Sequence, residues 1–302
     1  MDVDEHTIDL DALPVYYRST SPMPGATPVY LHGIPTSSDD WIEFLARSGG
    51  IAPDFIGFGR SAKGGHLDYS VDGLTDFLED FLTHVGVDEV QIVGHDWGAA
   101  VGLKFARRHP ERVRRLVLSN APALVEGFEW PRIIRWWQTR GLGEALMGSF
   151  PRPMFARTLR KGSVDPGAWS QKRIDDAWEQ FDQGTQRAVL RLVRSAPENM
   201  IGDTWSHAPV RSRALESGGA EPGATESGAV ESAAGESAGV EIPPVETTLI
   251  WGEEDPWYPP ALADAYAARL PGASVERVAG AGHWPWLDRP EVVERVAALL
   301  EG

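Results

Sequence analysis

The chain has 302 residues and a formal net charge of −16, with 44 acidic residues against 28 Lys and Arg. That balance excludes a nucleic-acid partner, because phosphate binding needs a basic face. The absence of cysteine excludes disulfides and thiolate metal sites, and no run approaches the roughly 18 apolar residues of a membrane helix.

The first residues, Met1-Asp2-Val3-Asp4-Glu5, are acidic and carry no apolar run of the kind a secretory signal needs. A cytoplasmic location is therefore expected. Pro28-Val29-Tyr30-Leu31 reads as a short buried strand that ends in His32-Gly33, and Gly50 to Asp54 as a strand end and turn. Between Asp68 and Val85, apolar residues Leu74, Phe77, Leu78, Phe81, Leu82 and Val85 recur at helical spacing. Val90 to Val93 is a strand, Ala99 to Arg108 a helix and Val113 to Leu118 another strand. Strands alternating with helices predict an α/β fold with a mostly parallel sheet covered on both faces.

From Pro122 to about Val210 the alternation stops, and the chain becomes Trp- and Arg-rich with helical periodicity. A strand returns at Val245 to Trp251, followed by a helix (Pro260 to Leu270), a strand (Ala273 to Val278) and a closing helix (Pro290 to Leu300). The expected organisation is a core domain of residues 1–122 and 245–302, with a helical cap, 123–210, inserted over the strand ends where ligands bind in open α/β sheets. The remaining stretch, 211–244, places Glu216, Glu221, Glu226, Glu231, Glu236 and Glu241 five residues apart among small residues. That period fits neither helix nor strand, so a disordered acidic loop is expected.

Gly94-His95-Asp96-Trp97-Gly98 joins a strand to a helix. It has the small-x-nucleophile-x-small pattern of a nucleophile elbow, with Asp where Ser is usual. The glycines are what a sharp, strained turn requires. An Asp that merely caps the helix would explain the carboxylate and leave the glycines unexplained. A carboxylate nucleophile suits displacement at saturated carbon, giving an ester that water then cleaves. His283, in Gly280-Ala281-Gly282-His283-Trp284-Pro285, is the candidate general base. Asp255, in Trp251-Gly252-Glu253-Glu254-Asp255-Pro256, is the candidate carboxylate that orients it, with Glu253 and Glu254 as rivals. Ser119-Asn120-Ala121, after the preceding strand, carries no carboxylate, which supports Asp255. The order nucleophile, acid, His is that of an α/β-hydrolase. The Ile34 and Trp97 amides are candidate oxyanion donors. His32 is expected to support its loop, and Pro53 to Ser61 to be structural. No phosphate loop or metal-spaced cluster occurs, and no cofactor is expected.

At His32-Gly33-Ile34-Pro35-Thr36-Ser37-Ser38, Ala52 to Ser61 and Gly94 to Gly98, the chain resembles the α/β-hydrolase superfamily, most of all its haloalkane dehalogenase and epoxide hydrolase branch. The resemblance covers roughly residues 27–122 and 245–301. It implies attack by Asp96 on a small apolar organic substrate, and water activation by His283 oriented by Asp255. It also implies that the Trp97 indole holds a departing halide. Many dehalogenases carry Asn at the position of Ile34, whose side chain cannot donate. Others take a second donor from a cap Trp, for which Trp130, Trp136, Trp137, Trp169, Trp178 and Trp205 are available. Epoxide hydrolases use cap tyrosines, whereas this chain has no Tyr between Tyr69 and Tyr258. Dehalogenation is therefore the leading expectation. Epoxide hydrolysis is the alternative enzyme, and a binding protein that kept the fold and lost catalysis is the alternative without chemistry.

Overall fold

The computed structural model describes residues 1–21, 25–122, 129–196 and 245–302. The expected acidic loop, Trp205 and the end of the expected cap lie outside the described residues. The strands are β1 (Asp4–Leu10), β2 (Leu13–Ser19), β3 (Thr27–Leu31), β4 (Ile51–Pro53), β5 (Val90–His95), β6 (Val113–Ser119), β7 (Glu246–Gly252) and β8 (Ser274–Val278). They form one sheet in the order β1-β2-β4-β3-β5-β6-β7-β8. From β4 to β8 all pairings are parallel, and β2 joins β1 and β4 antiparallel.

The central strands are apolar runs and not alternating patterns, because helices cover both faces. Val29, Tyr30, Leu31, Val90 and Ile92 are wholly buried. Three helices belong to the first half of the core: α1 (Ile42–Ser48), α2 (Val71–His84) and α3 (Trp97–Arg108). The expected helix over 68–85 begins at Val71 because Ser70 caps it, its hydroxyl accepting from the Gly73 amide at 3.0 Å. Between β6 and β7 lie α4 (Arg132–Gln138), α5 (Leu142–Gly148), α6 (Arg152–Lys161), α7 (Gln171–Gln180) and α8 (Gln183–Ser195). The chain closes with α9 (Ala261–Ala267), α10 (Pro285–Asp288) and α11 (Glu291–Glu301).

The β1–β2 hairpin was not expected. Its turn residues Asp11 and Ala12 both have positive φ, 52° and 65°. That conformation normally advertises itself as Asn-Gly or Asp-Gly. Here the Asp9 carboxylate stabilises the turn by accepting from the Ala12 amide at 2.7 Å, and no glycine marks it.

A polar seam ties the α7–α8 turn to the core. Lys63 Nζ donates to the Gln180 carbonyl (2.9 Å) and to Asp182 (2.8 Å), while Arg187 and Arg191 donate to the Lys63 and Gly65 carbonyls at 2.8 and 2.6 Å. Asp39 accepts from Arg18, Arg60 and, across the seam, Gln180 at 2.8 Å. Burial alone would push its pKa up, but the Arg60, Gln180 and Arg18 hydrogen bonds and the Arg60 charge outweigh it and hold it at about 2.

Candidate active site

Strand β5 turns into α3 at Asp96, which sits at φ 51° and ψ −123°. This is an uncommon backbone for a residue with a Cβ. Both flanking glycines are required by close packing. A Cβ on Gly98 would lie 2.1 Å from the Leu31 carbonyl oxygen, and one on Gly94 2.7 Å from the Ala99 Cα. The Asp96 side chain makes no capping hydrogen bond to α3. Its Oδ2 instead accepts from the Ile34 amide at 2.9 Å, and its Oδ1 is buried without a hydrogen-bond partner among the described residues. Burial pushes its pKa up to about 6, against the opposing influences of the His283 charge and the Ile34 amide.

The loop after β3 carries Ile34. His32 anchors it: Nδ1 donates to the Gly33 carbonyl (2.8 Å) and Nε2 accepts from the Phe55 amide (3.0 Å), which assigns the neutral tautomer. Burial lowers the His32 pKa, in keeping with that assignment. Asp54, in the turn after β4, accepts from the Ser38 and Arg60 amides, both at 2.7 Å.

Past β7, Asp255 is buried and accepts from four N–H groups. Oδ1 takes the Trp257 and Tyr258 amides at 2.8 and 3.1 Å. Oδ2 takes His283 Nδ1 and Asn120 Nδ2, both at 2.8 Å. Of the rival carboxylates, Glu254 accepts from the Gly280 and Ala281 amides (3.0 and 3.1 Å) and so holds the loop that carries His283. Glu253 is exposed. The His283 amide donates to the Gly162 carbonyl at 2.6 Å, and a Cβ on Gly282 would fall 2.2 Å from that same oxygen. His95 Nε2 donates to the His283 carbonyl at 2.8 Å. Burial by itself lowers the pKa of the His283 ring, but the charge and hydrogen bond of Asp255 and the charges of Asp96 and Asp40 leave it raised.

Two residues of this site were not anticipated. Asn120, at φ 42°, was noted only for lacking a carboxylate. Its Nδ2 orients Asp255, and its Oδ1 accepts from the Gly252 amide at 3.1 Å. Its position at the end of β6, beside β7, is the signal that could have found it. Tyr258 follows Asp255 by three residues and lines the cavity with Asp96 and His283. It lies in the turn after β7, outside the cap segment in which a tyrosine was expected.

The cavity in front of Asp96 is small, about 60 Å³, and apolar, bounded by Ile34, Ile134, Trp137, Phe155, Leu159 and Trp284 among others. The Trp97 indole Nε1 is buried without a hydrogen-bond partner among the described residues, and its ring stacks on Trp130 at 5.7 Å. Of the other expected Trp donors, Trp137 reaches the cavity and its Nε1 has no acceptor among the described residues. The Trp169 ring packs edge-on against Trp284, Trp178 packs against Phe155 and Phe181, and Trp136 is 37% exposed beneath Arg132.

A model of the α/β-hydrolase fold family matches residues 29–290. The haloalkane dehalogenase of Mesorhizobium japonicum is 41% identical over 57% of this chain and 59% of its own length. That of Mycolicibacterium paratuberculosis is 36% identical over 38% of this chain and 42% of its own. The matches thus span about half the length of these two relatives. Epoxide hydrolase 1 of Caenorhabditis elegans is 24% identical over 96% of this chain and 68% of its own. In fold, the crystal structure of the haloalkane dehalogenase DbeA from Bradyrhizobium elkani superposes with a TM-score of 0.74 at 22% identity, covering 100% of this chain and 98% of that one. With a family match running from β3 past His283, on a sheet and an elbow of this design, the chain belongs to the α/β-hydrolase fold family.

Proposed function

We propose that this hydrolase works through an alkyl ester on Asp96, with small haloalkanes as its substrate class. The observation that carries the reading is a strained, buried carboxylate lining an apolar cavity together with the imidazole of an imidazole–carboxylate pair. Asp96 attacks the carbon and the halide leaves with the bonding electrons. The Trp97 indole N–H is the proposed donor to the halide, and Trp137 the second.

The electrostatics give the two steps an order. Before attack, the Asp96 charge raises the proton affinity of His283. Esterification removes that charge and lowers the proton affinity of His283, so the ring stands neutral, the form that can take a proton from water. The hydroxide attacks the ester carbonyl carbon. The Ile34 amide, which holds the carboxylate at rest, and the Trp97 amide then hold the oxyanion. Collapse breaks the carbonyl C–O(alkyl) bond, restores the Asp96 carboxylate and releases the alcohol, which takes its proton from His283. Asp255 keeps Nδ1 protonated and Nε2 available throughout.

A second reading, epoxide hydrolysis, is favoured by the nematode relative and by the Tyr258 hydroxyl in the cavity. Ring opening at oxygen needs a proton, and Tyr258 can supply one where the cap sequence has no tyrosine. The test is intact-mass spectrometry of His283→Gln after exposure to short bromoalkanes and, separately, to terminal epoxides. A stable alkyl adduct on Asp96 from the bromide is expected. A hydroxyalkyl adduct formed only from the epoxide would select the second reading. No adduct with either class would sink the covalent scheme and leave the binding-protein alternative.

A further inference from the structure

His283 is held through its ring by Asp255 and through its carbonyl by His95. Its amide is held by the Gly162 carbonyl, at 2.6 Å. Gly162 follows α6, in the connection to α7. One support of the base therefore comes from the helices inserted between β6 and β7. The fit is close: a Cβ on Gly162 would lie 2.3 Å from the Trp284 ring and 2.8 Å from that of Trp257.

The Gly162–Asp165 stretch has little apolar side chain to keep it there. Gly162 has none, Val164 is 48% exposed and Asp165 is exposed. Burial supplies little hold, so the backbone needs polar fastening. Asp288, the last residue of α10, provides it. Its Oδ1 accepts from the Asp165 amide at 3.0 Å and its Oδ2 from the Val164 amide at 3.1 Å. The same Oδ2 accepts from the Gly282 amide at 2.8 Å. One carboxylate thus joins the α6–α7 connection to the residue that precedes the base.

We propose that Asp288 is a positioning residue for His283. It seats the Gly162–Asp165 stretch against the loop of the base, and the Gly162 carbonyl then fixes His283 through its amide. Helix α6 also brings Phe155 and Leu159 to the cavity wall. The elements that shape the cavity and the group that activates water are therefore tied at one side chain. The inference rests on His283 being the base of the proposed reaction.

Asp288→Asn keeps the shape of the side chain and leaves a single acceptor oxygen to serve the amides of Val164, Asp165 and Gly282. The substrate is whichever of a short bromoalkane or a terminal epoxide labels Asp96 in His283→Gln. Ester formation, followed by rapid quench and intact-mass analysis, needs no base and should stay close to the parental rate. Steady turnover should fall about tenfold to a hundredfold, the range of one hydrogen bond to a charged group, with the adduct accumulating. A merely structural loss would lower both phases alike. Residue-resolved hydrogen exchange reads the coupling without turnover. The His283 amide bonds to Gly162 and not to Asp288, yet it should lose protection together with the Gly282 and Val164 amides. Should Asp288→Asn not fold, Asp165→Pro removes an amide from the other side, at a φ of −89° that is near the range of proline. Measured against Asp165→Ala, which keeps that amide, it should show the same loss of protection and the same slowed hydrolysis. A fall of both phases in equal measure, or parental protection of the His283 amide, overturns the inference. Failure of the proposed function shows separately, as no label on Asp96 or as parental turnover in His283→Gln.

Discussion

Replacing Asp255 by Asn separates the two steps of the reaction. The carboxylate accepts from four donors, two on each oxygen. An amide has one oxygen, so whichever way it turns, its NH2 faces two N–H donors. If the oxygen faces the Trp257 and Tyr258 amides, His283 Nδ1 meets an N–H and is driven to the tautomer that carries its proton on Nε2, the wrong one for a base. If it faces His283 and Asn120, two buried amides lose their acceptor. Each hydrogen bond to a charged group contributes about 1.5–3 kcal/mol, so losing a pair costs about 3–6 kcal/mol, divided between folding and the hydrolytic step. The same exchange in a serine protease triad lowers kcat by about 10⁴ through the tautomer effect, and a loss of about 10³–10⁴ in steady-state turnover is expected here. Ester formation needs no base and should survive. The assay is a stopped-flow halide measurement with a short bromoalkane, paired with intact-mass analysis of the quenched enzyme. The expected result is a burst close to one halide per active site, then near-silence, with the adduct on Asp96. Steady turnover within tenfold of the parent and no adduct would refute the assignment of Asp255 and the order of steps together.

Two further changes probe the frame around Asp96. A Cβ on Gly33 would lie 2.5 Å from both the Cβ and Oδ2 of Asp96, so Gly33→Ala must part the Ile34 loop from the carboxylate. Stability should fall by about 1–3 kcal/mol, as for other overpacked sites, while turnover falls more than a hundredfold; near-parental kinetics would show that the Ile34 amide is dispensable. Asp39→Asn tests the seam that ties the α7–α8 turn to the core. Because the Asp39 pKa falls from 3.8 to about 2 on folding, its charge contributes about 2 kcal/mol that is present above pH 5 and is lost as the pH falls through 2. Urea denaturation should find the variant less stable by about that amount at pH 7, with the gap closing in acid; a gap independent of pH would reject the ionic account.

What was legible along the chain is what local patterns encode. Apolar runs such as Val90 to Val93, and helical spacing such as Leu74 to Leu82, report burial within one element, so the α/β alternation and the fold class followed from sequence. The elbow was legible because strain and close packing demand Gly94 and Gly98 around Asp96. Asp255 and His283 were legible as residue types in turns after strands, in a set order. The Asp11-Ala12 turn was not, because a side-chain hydrogen bond from Asp9 replaces the usual glycine. Asn120 and Tyr258 were not either, since their value lies in partners far away in the chain: Asn120 meets Asp255 across 135 residues, and Tyr258 lines one cavity with Asp96 and His283. Sequence by itself determined which chemistry-bearing groups exist and which strand delivers each. Only the tertiary structure decided which of them share a buried carboxylate, because hydrogen-bond partnership and desolvation are set by packing between elements and leave no periodic trace in the chain.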